Sequence, residues 1–157
     1  MTGTVTRHAV EVIVPVRGLP AGKKRLAELL SVDQRNRLVV AMLSDVVETL
    51  REVIPVDVIS ILSGDAVAAS EAKRLGVNFL HQPDVAVGLN AGLAYAQELV
   101  ADRSGALLIV PADLPLVTPD DIAGLITPHS VGPSVTIAPS HDNGTNGLFL
   151  RPPGVIA

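Results

Sequence analysis

Short apolar runs alternate with stretches of helical periodicity along the chain. Residues 9–16 (AVEVIVPV), 56–62 (VDVISIL) and 106–110 (ALLIV) are Val/Ile/Leu-rich runs of strand length, and 77–80 (VNFL) and 134–139 (SVTIAP) are shorter candidates. Near-continuous apolar runs suit strands covered on both faces, as in a parallel sheet. Ser31-Val32-Asp33-Gln34 reads as a capping box, and the following helix carries Leu38, Met42, Val46, Val47, Leu50 and Val53 on one face. A second helix spans 66–75 and is closed by Gly76 at the left-handed cap position. A third covers 88–101, with Leu89, Leu93, Ala96 and Val100 inward. Thr118-Pro119-Asp120-Asp121 opens a fourth, with Thr as cap, Pro in the first helical position and acids in the first turn.

The order is strand–helix repeated to a fifth strand, then a last extended piece over 145–151. Such alternation predicts an α/β fold with a doubly wound, mostly parallel sheet. No repeat, linker or low-complexity tract interrupts it, so residues 1–157 are expected to form a single domain. Ligands of doubly wound sheets bind outside the carboxyl ends of the strands. The loops of interest therefore follow strands one, three, four and five.

In the first loop, Arg17, Lys23, Lys24 and Arg25 accompany Gly18 and Gly22. Glycine lets the backbone approach a ligand, and exposed N–H groups with nearby cations can cradle a phosphate. The Walker A spacing is not met: Gly18 to Gly22 is one residue short, and Lys24 stands where Ser or Thr belongs. A basic surface turn is the plainer alternative. In the fourth loop, Asp113 follows an apolar strand run, where a carboxylate can hold Mg²⁺ or cap the next turn as an Asx residue. Thr118 already caps the following helix, which favours the metal role for Asp113. In the third loop, Gly88 permits close approach and Asn90 offers both donor and acceptor to a base or sugar, or else the segment is a helix cap. The last loop, Ser140-His141-Asp142-Asn143-Gly144-Thr145-Asn146-Gly147, is more polar than a hairpin needs and suggests binding of a carboxylate or phosphate. Adjacent Ser140, His141 and Asp142 make a poor hydrolytic triad, and no Gly-x-Ser-x-Gly elbow is present.

Composition narrows the classes. Net charge is −4 and aromatic residues are 2% with no Trp, which argues against a nucleic-acid binder or a base-stacking platform. There is no Cys, hence no disulfide framework or thiol nucleophile. No apolar run reaches the roughly 18 residues of a membrane span, and the first ten residues lack a signal-peptide core. The expected compartment is the cytoplasm.

Several motifs in order carry a family resemblance: Val14-Pro15-Val16, then Ala21-Gly22-Lys23-Lys24-Arg25-Leu26, Ala41-Met42-Leu43-Ser44-Asp45-Val46, Gly88-Leu89-Asn90-Ala91-Gly92-Leu93, Ala112-Asp113-Leu114-Pro115-Leu116 and Gly144-Thr145-Asn146-Gly147-Leu148. Together they resemble the 2-phospho-L-lactate/phosphoenolpyruvate guanylyltransferases of coenzyme F420 biosynthesis (the CofC/FbiD group), with a nucleotide-diphospho-sugar transferase-like fold. The resemblance implies GTP and a phosphorylated three-carbon acid as substrates and Mg²⁺ as cofactor. It puts Lys23 and Arg25 on the triphosphate, Pro15, Gly22, Gly88 and Asn90 at the nucleotide, Asp113 on the metal, and Gly144 and Thr145 at the acid. Members of the group continue past the last strand with a segment that contacts the acid and a further Asp. The resemblance therefore implies a chain lacking its C-terminal segment, an acceptor pocket open on one side, and an exposed edge strand at 148–150 that would favour a homodimer. Alternatives are a molybdenum-cofactor-type nucleotidyltransferase and an inactive nucleotide-binding domain.

Overall fold

Strand β1 (Glu11–Pro15) is apolar on both faces because it lies between two parallel neighbours. The structure, a computed structural model, describes residues 9–17, 26–127 and 131–156. The elements that follow are α1 (Val32–Arg51), β2 (Ile59–Ser63), α2 (Ala66–Leu75), β3 (Asn78–His81), α3 (Leu89–Ala101), β4 (Leu107–Ile109), α4 (Pro119–Ile126), β5 (Ser134–Pro139) and β6 (Thr145–Arg151). The sheet has six strands in the order β3-β2-β1-β4-β6-β5. Strands β3, β2, β1 and β4 are parallel, while β6 runs antiparallel to β4 and to β5.

Helices α1, α2 and α4 share one face. Val39, Met42, Leu43, Val46, Val47 and Leu50 of α1 pack with Ala68, Ala72 and Leu75 of α2 and Ile122 and Leu125 of α4. They meet Val12, Val14, Ile61, Leu108 and Phe149 of the sheet. The inward stripe of α1 thus includes Val39 and Leu43 besides the expected positions, while Leu38 and Val53 are only partly buried. Among the described residues, α3 is the helix that covers the other face, with Ala96 and Val100 over Ile13, Leu62, Leu107, Ile109 and Leu150.

The helix ends obey local chemistry. Ser31 and Gln34 form the reciprocal box, the Gln34 N–H donating to Ser31 Oγ at 3.2 Å and the Ser31 N–H to Gln34 Oε1 at 2.8 Å. Gly76 closes α2 at φ +66. Thr118 and Asp121 form a second box around Pro119, and the Thr118 hydrogen bonds hold the Asp121 carboxyl below its ordinary value of 3.8.

The last extended piece departs from expectation. Residues 148–150 are not an exposed edge: Leu148 pairs with Ile109 on one side and Ile137 on the other. Phe149 and Leu150 are 2% and 1% exposed. The reason is that β6 is apolar toward both layers, Phe149 facing the α1 side and Leu148 and Leu150 the α3 side. It can therefore fill the open flank of β4 only when the hairpin folds it back between β4 and β5. The edge strand is β5, where the partners of Leu148 and Leu150, Ile137 and Val135, remain 55% and 40% exposed.

Two outcomes test this account. Leu43→Ala, at a side chain with no exposure, should lower the unfolding free energy by about 3 kcal/mol in urea titration. Asp121 has a depressed pKa, so its contribution is present above 3.8 and fades as pH falls through the lowered value. The stability gap between wild type and Asp121→Asn should be full at neutral pH and should close at strongly acid pH.

Candidate functional site

All loops singled out from the sequence emerge at one edge of the sheet. Strands β1 to β4 are parallel, and β5, antiparallel to β6, points the same way. Successive strands build outward from β1 to β2 and β3, then resume at β4 on its other side. The loops after β1 and β4 thus flank the topological switch point, where doubly wound sheets bind ligands.

On the β1 side, Pro15 ends the strand half-buried, Val16 is buried and its N–H donates to Leu62 O at 2.9 Å, and Arg17 is exposed. Gly22, Lys23, Lys24 and Arg25 lie outside the described residues. On the β4 side, Val110 is tied to β1 through its N–H to Ile13 O at 3.1 Å. Asp113 follows three residues later as an exposed carboxylate. Thr118 and Asp121 cap each other, so Asp113 is not used as the cap of α4.

A cleft of about 410 Å³ opens over the ends of β1, β2 and β3, lined by Val16, Arg17, Ser63, Asp65, Gln82 and Gly88 among others. Gln82 organises its far wall. Its N–H donates to Ser63 O at 2.9 Å, and its side-chain Nε2 donates to Ala86 O at 2.5 Å and Gly88 O at 3.0 Å. The carboxamide sits so close to α3 that a Cβ on Gly92 would lie 2.6 Å from Gln82 Oε1. Gly88 has φ +89 and ψ 177, a conformation reserved for glycine. It starts α3 with no side-chain cap, so the first N–H groups of that helix are not taken up by a capping side chain. Asn90 stands exposed in the first turn. On the near wall, Asp65 caps α2 through Val67 N–H at 2.8 Å, and buried Ser63 Oγ accepts from Asp65 N–H at 3.2 Å.

The last polar loop proves to be largely turn chemistry. Residues 140–144 close the β5–β6 hairpin, with Ser140 N–H to Gly144 O at 3.0 Å and Asn143 N–H to Ser140 O at 3.2 Å. Asn143 takes φ 63, and Asp142 accepts from the Ser140 hydroxyl and the Gly144 N–H. A Cβ at Gly144 would meet Ser140 Oγ at 2.8 Å, so a larger residue there would have to turn the Ser140 hydroxyl away from Asp142. Thr145 opens β6, exposed and opposite Pro139.

The structure thus brings Pro15, Gly88, Asn90, Asp113, Gly144 and Thr145 to one sheet edge. Among them, Gly88 lines the cleft, whereas Asp113, Gly144 and Thr145 stand on the β4 side of the switch point. No group of three His, Cys, Asp or Glu among the described residues could hold a metal by itself. Asp113 is an exposed carboxylate at this edge, the kind of group of which Mg²⁺ takes one or two before completing its shell with substrate phosphates. Sequence reasoning passed over the exit of β2, where Ser63 and Asp65 sit; the strand-end rule applied to that strand would have found them.

A model of guanylyl transferases described as CofC-like matches residues 10–156. The chain belongs to the CofC-like guanylyltransferase family. A phosphoenolpyruvate guanylyltransferase of Sphaerobacter thermophilus is 41% identical over 92% of this chain and 69% of its own length. A 2-phospho-L-lactate guanylyltransferase of Methanothermobacter thermautotrophicus is 34% identical over 89% of this chain and 61% of its own length. This family member thus spans roughly two thirds of such relatives. Among solved structures, a protein of Desulfovibrio desulfuricans described as a nucleotide-diphospho-sugar transferase superposes with a TM-score of 0.73 at 18% identity, over 97% of this chain and 66% of its own. A cytidylyltransferase of Leptospira borgpetersenii does so with a TM-score of 0.55 at 10% identity, over 96% and 62%. At such identities these two speak for the nucleotidyltransferase fold alone.

The Gln82 brace has a direct test. Gly92→Ala should displace the carboxamide and release the 83–88 segment, giving faster amide exchange at Ala86, whose N–H donates to Pro83 O at 2.9 Å. Exchange within β1 should be unchanged.

Proposed function

We propose that this chain is an enzyme that transfers GMP from GTP to a phosphorylated three-carbon acid, such as phosphoenolpyruvate or 2-phospholactate, and releases pyrophosphate for the building of coenzyme F420. Family membership supports the reaction class. The observation that carries the reading onto these residues is the convergence of Asp113, Gly88, Asn90 and Thr145 on the sheet edge at the switch point.

The chemistry asks little of the protein in proton transfer. The acceptor is a phosphate monoester whose oxygen is already ionised near neutral pH. That oxygen attacks the α-phosphorus of GTP, a new P–O bond forms, and the bond to the β-phosphate oxygen breaks as pyrophosphate leaves. Catalysis then rests on alignment and on neutralising the charge that gathers between acceptor and triphosphate. Bound Mg²⁺ supplies positive charge to the phosphate oxygens, with Asp113 as its protein ligand. Lys23 and Arg25, on the first loop, bear on the triphosphate. The cleft beside Ser63, Gln82 and Gly88 takes the nucleoside, and Gly144 and Thr145 face the acid. No helix among the described residues is long and apolar enough to cross a membrane. The chain works where GTP is abundant, in the cytoplasm.

Pyrophosphate release from GTP, Mg²⁺ and each acid in turn tests the proposal. One acid should support turnover, and Asp113→Asn should reduce it about 100-fold or more while the melting temperature stays within about 2 °C. GTP should raise the melting temperature more than CTP or ATP does. Stabilisation by GTP without turnover on any acid would leave a nucleotide-binding domain and overturn the enzymatic reading.

A further inference from the structure

The cleft over β1, β2 and β3 is electrically lopsided. Asp65 at the exit of β2 and Asp84 in the loop after β3 put carboxylates at its far end, while Arg17 stands at the β1 end. The sheet order sets β2 and β3 on the side of β1 away from β4 and Asp113. Carboxylates repel a triphosphate, so the phosphates belong toward β1 and β4, and an uncharged group belongs over β2 and β3. The walls there suit a flat ring. Val16 and Pro83 line the cleft, and so does Val87, which is 82% exposed and offers apolar surface for a base to cover.

Of the two carboxylates, Asp65 is the one held in place. Its N–H donates to the buried Ser63 hydroxyl at 3.2 Å, and its Oδ1 accepts from Val67 N–H at 2.8 Å as the cap of α2. Asp84 stands exposed in the turn that Ala86 N–H closes onto Pro83 O. A carboxylate has about four lone-pair sites, and the cap uses one of them. Capping does not call for a charge, since Ser and Asn cap about as well as Asp. The Asp65 side chain lines the cleft half-buried, so its oxygens keep the capacity to accept from a ligand.

The bases differ in what they offer to a pair of acceptors. Guanine carries N1–H and the N2 amino group on adjacent atoms, two donors at the spacing of carboxylate oxygens. Adenine and cytosine each set an amino donor beside a ring acceptor, and uracil sets one ring N–H between two carbonyls. Each of these would turn an acceptor toward a carboxylate oxygen, which rejects it. We propose that Asp65 selects guanine, its two oxygens accepting from N1–H and from the N2 amino group, a role that rests on the GTP reading above. Hydrogen bonds to a charged acceptor are roughly twice as strong as neutral ones, and a bidentate pair adds geometric specificity.

The test titrates the full chain with GTP, ITP, XTP and ATP, each with Mg²⁺, and reads the affinity of each. ITP lacks the 2-amino group, and XTP has a carbonyl in its place. Wild type should bind GTP about tenfold or more tightly than ITP, and should bind XTP and ATP more weakly still. Asp65→Asn keeps the cap but exchanges one acceptor for a donor, so it should lose GTP affinity about tenfold or more and prefer XTP to GTP. A residue that only caps α2 would leave the GTP-to-XTP ratio as in wild type, and that result overturns the proposal. So does a preference that shifts in Asp84→Asn but not in Asp65→Asn. Should Asp65→Asn fail to fold, equal affinity of wild type for GTP and ITP decides against it. A wild type that binds no GTP, or binds ATP as tightly, overturns the GTP reading itself; a wild type that prefers GTP, with an unchanged ratio in Asp65→Asn, overturns the role of Asp65 alone.

Discussion

The structure depends on the double pairing of β1. Val12, Ile13 and Val14 are wholly buried, with β2 hydrogen-bonded along one side and β4 along the other. Parallel strands can take this position only if both faces are covered, which calls for helices on each side. Because the chain builds outward from β1 in one direction and resumes in the other, the exits of β1 and β4 diverge. That divergence leaves Arg17 and Asp113 on either side of the switch point. The functional edge is thus a geometric result of where one apolar pentapeptide sits.

Helix ends and core faces were legible because their signals are local. The Ser31–Gln34 and Thr118–Asp121 boxes and the Gly76 terminator are read from neighbours in sequence, and each appears as expected. The place of β6 was not legible. An apolar segment such as Leu148-Phe149-Leu150 announces that it is buried but not beside which strand, since pairing is decided by what flank remains open. Part of the hairpin loop's polarity has a local use: Ser, Asp, Asn and Gly serve turns and ligands alike, and here Ser140, Asp142 and Asn143 bond to their own loop.

Polar residues within strands were the other blind spot. Glu11 interrupts an apolar run, and it is buried against Arg103. Ser60 and Ser63 are two small hydroxyls in one strand, toward opposite ends of the sheet. Ser63 supports the cleft wall, while Ser60 is buried toward the other edge. Period-two alternation assigns them to a face without saying what lies over it. In the candidate site, the carboxylate and the glycines were found because strand exits are few. Gln82 was not singled out, because its role is a brace between two backbone segments, 82–88 and the start of α3.

The reversed insertion of β6 also orders events in time. As the polypeptide is synthesised, β1 to β4 can assemble in sequence, each beside a strand already made. Strand β4 then waits with one flank bare until residues 145–151 arrive, and β5 emerges first without a partner. Hairpins form within microseconds once both arms exist, so closure is limited by translation rather than by search. Until that moment the nascent chain carries an unpaired apolar strand at its centre, the kind of edge that recruits wrong neighbours. The hairpin is the step that covers the bare flank of β4.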